Sequence, residues 1–250
     1  MKPLVIFDVE TTGIDKISGK DWIVQFSAIK VDRSTNKMVG MINEYIRPDG
    51  NYVMGIGAFI KHGIHPDTLK DKPTFKELAQ TIYNFMDGCD ILTYNGTQFD
   101  IPFLRMEFSR AGIEWNPTSV TCYDSFQVER ERNGLRLEQV FKKYCNKTME
   151  EAGLCAHDGL SDVKALYGVF RHQLEEGEIK PQEMLTDDNF IGYVEYNGER
   201  EYAMTFGKYK DVPLEIIKHV DLPYLKWVLS INPCKKTQAI INEIINKETL

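Results

Sequence analysis

Three short stretches of this 250-residue chain contain one histidine, His157, and four acids of interest: Asp8, Glu10, Asp100 and Asp162. In chain order they are IFDVETTG at residues 6–13, TYNGTQFD at residues 93–100 and AHDGLSD at residues 156–162. Each stretch taken alone is weak evidence for a functional site, because acids and histidines are common on protein surfaces. In this order the three stretches predict a divalent-metal site that cleaves phosphodiester bonds, and a fold that brings them together.

An apolar run at residues 4–7 (LVIF) leads into Asp8 and is of the kind expected for a strand buried on both faces. Asp8 and Glu10 are two residues apart, so the alternation of a strand puts both side chains on one face. Two adjacent carboxylates stay ionised cheaply only when a cation neutralises them, and Mg²⁺ prefers such oxygen ligands. An isolated Asp-x-Glu is more often a solvated strand end, but the apolar run before it and the TTG after it favour a metal site.

The residues that follow Glu10 are candidates for substrate binding. Thr11 and Thr12 offer hydroxyls and backbone amides where a nucleotide can lie, and Gly13 permits a tight turn. In the second stretch, Asn95 is expected to brace its loop through side-chain hydrogen bonds. We assign these four residues to substrate binding.

Asp100 and Asp162 both lie at predicted helix starts. Asp is among the best N-cap residues, and we expect Asp100 to serve both as a cap and as a more distant metal ligand. His157 lies five residues before Asp162 in a Gly-containing turn. This spacing lets the imidazole overhang the carboxylate and accept a proton from a metal-held water. Considered alone, His157 is an ordinary surface or core histidine.

Hydrophobic periodicity predicts an α/β layer architecture for the first part of the chain. Two strand patterns flank the turn-rich DRSTN and predict a hairpin. The predicted elements are strands at 23–31, 37–46 and 91–94, and helices from 73 to before 88, from 101, at 135–145 and at 161–174.

A polar segment divides the chain into two parts. Residues 176–189 have few apolar side chains and predict a linker between a domain at 1–175 and a small α+β module at 190–250. The module contains a turn signal at Asn197-Gly198, followed by helical patterns at 214–220, 223–231 and 237–246.

The net charge of −7 argues against a protein that coats DNA through a broad basic face. It suits an enzyme that grips a few nucleotides at a metal centre, because bound cations reverse the local sign of the carboxylates. No apolar run approaches the roughly 20 residues that span a bilayer, and the five cysteines are scattered. We therefore expect a cytoplasmic protein with no membrane partner.

With these residues assembled, residues 3–172 resemble the DEDDh family of 3′-to-5′ exonucleases, which includes proofreading subunits and ribonuclease-T-like enzymes. KHGI at 61–64 and the helix start PTFKEL add to the resemblance. The family implies a ribonuclease-H-like mixed sheet with flanking helices. It also implies two Mg²⁺ or Mn²⁺ ions about 3.5–4 Å apart that clamp the scissile phosphate.

The resemblance also implies a role for each acid and for the histidine. Asp8 would bridge both ions, while Glu10 and Asp162 would complete one metal site and orient the attacking water. Asp100 would act on the second ion largely through water. His157 would be the general base.

The same resemblance extends to the substrate. Thr12 would approach the 3′-terminal nucleotide, so that the enzyme reads a chain end. Phe59 or Phe103 would pack on the terminal base, since stacking tolerates any sequence. Core packing is the favoured alternative for both phenylalanines.

The segment FGKYKDVPLEII and the following DLPYLKWVL resemble the small C-terminal module of exonuclease X relatives. Lys208, Tyr209, Lys210 and Trp227 combine bases and aromatics, as a single-strand binding surface would. A core role for the aromatic residues competes on equal terms. If the module binds nucleic acid, it would raise processivity by tethering substrate.

The leading hypothesis is a 3′-to-5′ exonuclease that releases nucleoside 5′-monophosphates from DNA, acting on single strands or 3′ ends. An RNA 3′-end exonuclease is the alternative, because 2′-OH discrimination depends on a few contacts. A non-catalytic nucleic-acid-binding or polymerase-partner module is a third hypothesis. A replication or repair partner is compatible with these hypotheses, and the sequence leaves the oligomeric state open.

Overall fold

A computed structural model describes residues 2–14, 20–116, 120–130, 135–181, 190–205, 207–230 and 235–247. These residues belong to two compact units, one within residues 2–181 and the other within residues 190–247. Residues 182–189 of the predicted linker lie outside the described residues. Across the described ranges, every helix is too short or too polar to cross a membrane.

The first unit is built on a mixed sheet of five strands: β1 Leu4–Thr11, β2 Ile23–Asp32, β3 Lys37–Tyr45, β4 Asp90–Thr93 and β5 Cys122–Asp124. Their order in the sheet is β3-β2-β1-β4-β5. The central strand β1 pairs antiparallel with β2 and parallel with β4. This sheet confirms the predicted α/β fold class and the hairpin.

Helices of the first unit contribute to hydrophobic cores built around this sheet. They are α1 Ile56–His62, α2 Pro66–Leu69, α3 Phe75–Met86, α4 Asp100–Arg110, α5 Ser125–Arg130, α6 Leu137–Cys145 and α7 Gly159–Glu175. One core combines β1 and β2 with α3 and α4, and a second combines β1, β2 and β4 with α7. β1 therefore lies between two cores, as its apolar run predicts.

Helix α3 starts with a capping box. Thr74 Oγ1 accepts a hydrogen bond from the Glu77 backbone N–H (3.3 Å), and Glu77 Oε2 accepts one from the Thr74 N–H (2.7 Å). The helix begins after Thr74, so the predicted start at residue 73 was two residues early. Gly88 lies just past the end with a φ of 68°, a conformation that favours glycine.

Helix α7 begins in close contact with β2. Asp158 caps the helix, and its carboxylate accepts hydrogen bonds from the Ser161 N–H (3.1 Å) and hydroxyl (2.7 Å). At Gly159, a Cβ atom would lie 2.4 Å from Ser27 Oγ, so only glycine fits there. Ser27 is the partner of Asp8 in the β1–β2 register. The start of α7 therefore lies beside the acidic part of β1.

The second unit has its own hydrophobic core. It contains the antiparallel pair β6 Ile191–Tyr196 and β7 Glu199–Met204, then α8 Leu214–Ser230 and α9 Lys235–Asn246. Helix α8 breaks at Asp221, which matches the two predicted helical patterns on either side of it. Residue 231 of the second pattern lies outside the described residues.

The basic and aromatic residues of this unit make internal contacts. Lys208 Nζ lies 2.9 Å from an Asp221 carboxylate oxygen, to which the Tyr209 hydroxyl also donates a hydrogen bond (3.0 Å). Trp227 packs on Tyr224, whose ring is buried in the core. These contacts favour the core role for both aromatic residues over the single-strand binding surface.

Candidate active site

Strand β1 and helix α7 bring three carboxylates together. Asp8 and Glu10 lie on one face of β1, as their spacing predicts, and Asp162 lies in the first turn of α7. Ligand oxygens of these three residues all lie within 4.8 Å of one another. One cation can therefore contact all three side chains.

Asp100 joins the cluster through the backbone of β1. Its Oδ1 accepts a hydrogen bond from the Val9 N–H (2.9 Å), which fixes the carboxylate next to Asp8. Asp100 is the first residue of α4, and Phe99 occupies the N-cap position. The expectation that Asp100 caps this helix was wrong, because Phe99 stands at the cap position and the Asp100 side chain reaches across to β1.

Burial, with added repulsion between neighbouring carboxylates, raises the pKa values of the four acids. Burial, followed by the charges of Asp100 and its neighbours, raises the pKa of Asp8 well above its usual value, and burial raises that of Glu10. Burial is also the main cause that raises the pKa of Asp100 to about 7 and that of Asp162 to about 7. Four acids held this way are costly without cations, and their all-oxygen donor set fits hard divalent ions.

Lys61, in the last turn of α1, is a cation at this cluster. Its Nζ lies 3.7 Å from Glu10 Oε2. Burial lowers the pKa of Lys61, but the charges of Glu10, Asp8 and the other two acids outweigh burial and raise it. The ammonium group is therefore held in its charged form by the same carboxylates that would hold a metal.

A cavity of about 280 Å³ opens over the carboxylates. Thr11, Gly13 and Asn95, three of the residues assigned to substrate binding, line it. The Thr11 hydroxyl donates to the Gly13 carbonyl (2.6 Å). Asn95 has a φ of 63°, a left-handed conformation that is uncommon outside glycine and is often found at functional sites.

The other three residues assigned to substrate binding lie elsewhere. Thr12 is fully buried, and its hydroxyl bonds to Asp21 and to the Trp22 N–H. Phe103 is fully buried and packs on Phe99, which agrees with the core-packing alternative and rules out stacking on a base. Phe59 is 40% exposed on α1, with its edge against His65, and is not among the residues that line the cavity.

His157 lies beside the cluster on the loop before α7. Its backbone N–H donates to Asp162 Oδ2 (3.2 Å), and its φ of 64° is again left-handed. The imidazole is half-exposed, with Nε2 3.4 Å from Glu138 Oε1 on α6. The five-residue spacing thus brings histidine and carboxylate into contact, although through the backbone of His157 and not its ring.

Two residues that shape the site were not predicted as site residues. Asp124, at the end of β5, accepts hydrogen bonds from the Asn95 N–H (2.7 Å) and the Thr97 hydroxyl (2.9 Å). Asp124 therefore stabilises the loop that the Asn95 side chain was expected to stabilise. Glu138 faces His157 from α6. Both are acids outside the three stretches, and only their position after a strand or near a helix start could have indicated them.

Residues 5–170 match the sequence profile of the RNase_T family, described as exonuclease. DNA polymerase III subunit epsilon of Escherichia coli is 31% identical over 172 residues, covering 66% of this chain and 69% of that protein. Subunit epsilon of Rickettsia prowazekii is 36% identical over 173 residues, covering 66% and 71%.

Other relatives are matched over less of their length. Subunit epsilon of Buchnera aphidicola is 32% identical over 134 residues, which cover 51% of this chain and 55% of that protein. The chain thus spans about half the length of this relative.

Among solved structures, E. coli exonuclease I in complex with a dA16 oligonucleotide superposes with a TM-score of 0.57 at 22% identity, covering 70% of this chain and 41% of that chain. Another exonuclease I structure gives a TM-score of 0.60, also at 22% identity, covering 82% and 52%. At this identity the likeness shows a shared fold.

Proposed function

Because the chain belongs to the RNase_T exonuclease family, we propose that it is a metal-dependent 3′-to-5′ exonuclease that hydrolyses DNA to nucleoside 5′-monophosphates. The observation that carries the proposal is the meeting of Asp8, Glu10 and Asp162 within 4.8 Å, with Asp100 fixed beside them. This carboxylate set is what a phosphodiester hydrolase with two divalent ions requires.

The four acids fit two Mg²⁺ or Mn²⁺ ions. Asp8, Glu10 and Asp162 would hold one, and Asp8 with Asp100 would hold the other. When bound, such ions polarise the scissile phosphate and activate a water molecule. The hydrogen bond from Val9 keeps the Asp100 carboxylate in place before any ion arrives.

His157 is the proposed general base. Its backbone bond to Asp162 fixes the loop next to the carboxylate cluster, and the half-exposed ring can rotate to reach a water molecule there. Glu138 Oε1 lies 3.4 Å from the ring Nε2, where it can hold the imidazole in one orientation. Glu138 would therefore act through His157, as a positioning residue.

DNA is the proposed substrate because the relatives point to it. The matched subunits belong to DNA polymerase III, and the exonuclease I structures hold dA16 and dT13 oligonucleotides. A replication or repair assembly is the corresponding partner. Thr11, Gly13 and Asn95 are the residues proposed to line the nucleotide pocket.

Polarity and sugar preference can be tested with end-labelled substrates. Purified protein with Mg²⁺ is incubated with 5′-labelled and 3′-labelled DNA and RNA of one sequence, single- and double-stranded. A 3′-to-5′ exonuclease shortens the 5′-labelled strand stepwise and releases labelled mononucleotide from the 3′-labelled strand at once. Faster degradation of RNA would replace the DNA assignment with the RNA alternative, and binding without degradation would favour the non-catalytic module.

Metal-ligand variants test whether this cluster carries the activity. Asp8→Asn and Asp162→Asn should each lower the rate by at least about a hundredfold, since even outer partners of a metal site cost tenfold to a hundredfold. Glu175→Gln is a matched control, because this exposed carboxylate lies at the other end of α7 from Asp162. Near-normal activity in both ligand variants would place the active site elsewhere.

A further inference from the structure

Lys61 places a positive charge next to the candidate metal ligands, although lysine itself is not expected to bind the metal. Its side chain is 55% exposed at the cavity, while the Glu10 carboxylate that it faces is almost completely buried. The ammonium group thus lies at the mouth of the cluster, between the carboxylates and solvent. The Nζ–Oε2 distance of 3.7 Å is an ion-pair distance and longer than a good hydrogen bond.

The backbone that carries Lys61 is attached to β1 at both ends of α1. The Gly55 N–H donates to the Thr12 carbonyl (2.8 Å), and a Cβ at Gly55 would lie only 2.9 Å from that oxygen. At the other end, His62 Nε2 lies 3.2 Å from the Thr11 carbonyl. The main chain of Lys61 is therefore fixed relative to the acids, and only its flexible side chain can move.

Bound cations favour the ionised form of all four carboxylates. Two divalent cations, four ionised carboxylates and the Lys61 ammonium group add up to a charge of about +1, and without Lys61 the sum would be about zero. Lys61 would thus supply the net positive charge that attracts phosphate to the loaded site.

Resting on the proposed function, we propose that Lys61 is a movable counter-charge of the metal centre. Its ammonium group pairs with Glu10 when metal is absent and is repelled from the acids when cations enter. It then contacts the phosphate of the 3′-terminal nucleotide. Lys61 would be both a competitor of the metal and a substrate-binding residue.

The first test measures metal binding alone. Lys61→Met keeps the apolar stem and removes the charge, so Mn²⁺ titrated into metal-free protein by calorimetry should bind about three- to tenfold more tightly than to the wild type. Lys61→Arg keeps the charge and should leave the affinity near the wild-type value. Lys70→Met is the matched control, because Lys70 is an exposed lysine paired with Asp67.

The second test measures the phosphate contact without catalysis. Thymidine 5′-monophosphate, titrated into Mn²⁺-saturated protein, should bind Lys61→Met about tenfold more weakly than the wild type. Thymidine, which lacks the phosphate, should bind both proteins equally. Unchanged melting temperatures would show that both proteins are folded.

The proposal requires opposite changes in the two affinities. If Lys61→Met binds Mn²⁺ no more tightly, or binds the monophosphate as well as the wild type does, the proposal is overturned and Lys61 is a solvated surface lysine. Neither measurement uses turnover. A wild-type protein that binds Mn²⁺ but degrades no nucleic acid would contradict the proposed function without deciding the role of Lys61 in metal binding.

Discussion

At the scale of single residues, carboxylates of this protein bind backbone N–H groups from distant parts of the chain. Asp100 binds the N–H of Val9, and Asp124 binds that of Asn95. The first bond joins two residues that line the cavity, and the second holds Asn95, which also lines it, so these acids fix the geometry of the site. Removing one of them changes the shape of the site in addition to its charge.

His157→Asn should lower the turnover number by about a hundredfold to a thousandfold, the usual contribution of a general base. The affinity for single-stranded DNA should change little, because His157 is not among the residues that line the cavity. Single-turnover kinetics and filter binding separate the two quantities.

The matched control for this variant is His172→Asn, because His172 lies in the last turn of the same helix that carries Asp162. A loss of affinity or of folding in His157→Asn, with chemistry intact, would contradict the general-base role.

Glu107 gives a prediction for pH and stability. This buried side chain lies against Arg110 (2.6 Å), yet burial outweighs the arginine and raises its pKa to about 7. The folded state therefore holds the proton to higher pH than the unfolded state, whose pKa is near 4.5. The contribution of protonated Glu107 to the free energy of unfolding is complete below about pH 4.5, and it is lost as the pH rises to about 7.

Between pH 5 and 8, the wild type should thus lose up to about 3 kcal/mol of unfolding free energy relative to Glu107→Gln. Urea denaturation at several pH values measures the difference. Parallel pH profiles for the two proteins would show that Glu107 stays ionised.

The site residues differ in how far the sequence could predict them. The shared face of Asp8 and Glu10 could be predicted from strand alternation. The place of Asp162 could be predicted from its position at the start of a helix. The Thr12 hydroxyl bonds to Asp21, nine residues later in the sequence, and the sequence pattern alone does not show which partner a hydroxyl will take. The role of Lys61 depends on where α1 attaches to β1, which has no signal in the local sequence.

At the scale of elements, the sequence patterns predicted the β2–β3 hairpin, α3 and α7 within a few residues. The two helices each bury a stripe of apolar side chains, and a turn-rich segment separates the two strands. Helices α1 and α2 were not predicted. They are short, and α1 has no fully buried residue, so no apolar stripe reveals it. α1 is held by backbone contacts with β1 instead of by a core-facing stripe.

Gly159→Ala tests the close contact between α7 and β2. A Cβ there would meet Ser27 Oγ at 2.4 Å and Ser27 Cβ at 3.1 Å, so either Ser27 or the start of α7 has to shift. We expect a loss of about 1–3 kcal/mol in unfolding free energy, as for overpacked cores, and a fall in activity because Asp162 moves with the helix. Chemical denaturation and the nuclease assay measure the two effects.

Gly57→Ala in α1 is the control for this substitution, since nothing lies within 4 Å of a Cβ at that position. It should be neutral or stabilising by up to about 1 kcal/mol, because alanine favours helix. Equal stabilities for the two alanine variants would show that α7 tolerates the added methyl group.

At the scale of the whole molecule, two units with separate hydrophobic cores share the chain. We propose that they correspond to the exonuclease domain at 1–175 and the module at 190–250. Equal numbers of acids and bases in the module leave the net charge of −7 on the rest of the chain. The carboxylate cluster accounts for part of this negative charge.

A chain that ends at residue 189 should therefore fold and keep its metal site. We expect Mg²⁺ to raise its melting temperature by as much as that of the full chain, since a ligand at 100 times its Kd stabilises by about 2.7 kcal/mol in either protein. A lower processivity of the truncated chain, with fewer nucleotides removed per binding event, would assign nucleic-acid binding to the module. Loss of the Mg²⁺-induced shift would contradict the proposed division.

The central place of β1 has a consequence for synthesis. Asp8 and Glu10 leave the ribosome first, yet their partner strand β4 follows at Asp90–Thr93 and the third carboxylate at Asp162. Domains fold as units, and pairings between such distant segments form late. The nascent chain thus carries two of its four candidate ligands until Asp100 has been made, and it lacks the fourth until Asp162 follows, so we expect no nuclease activity before α7 has been released.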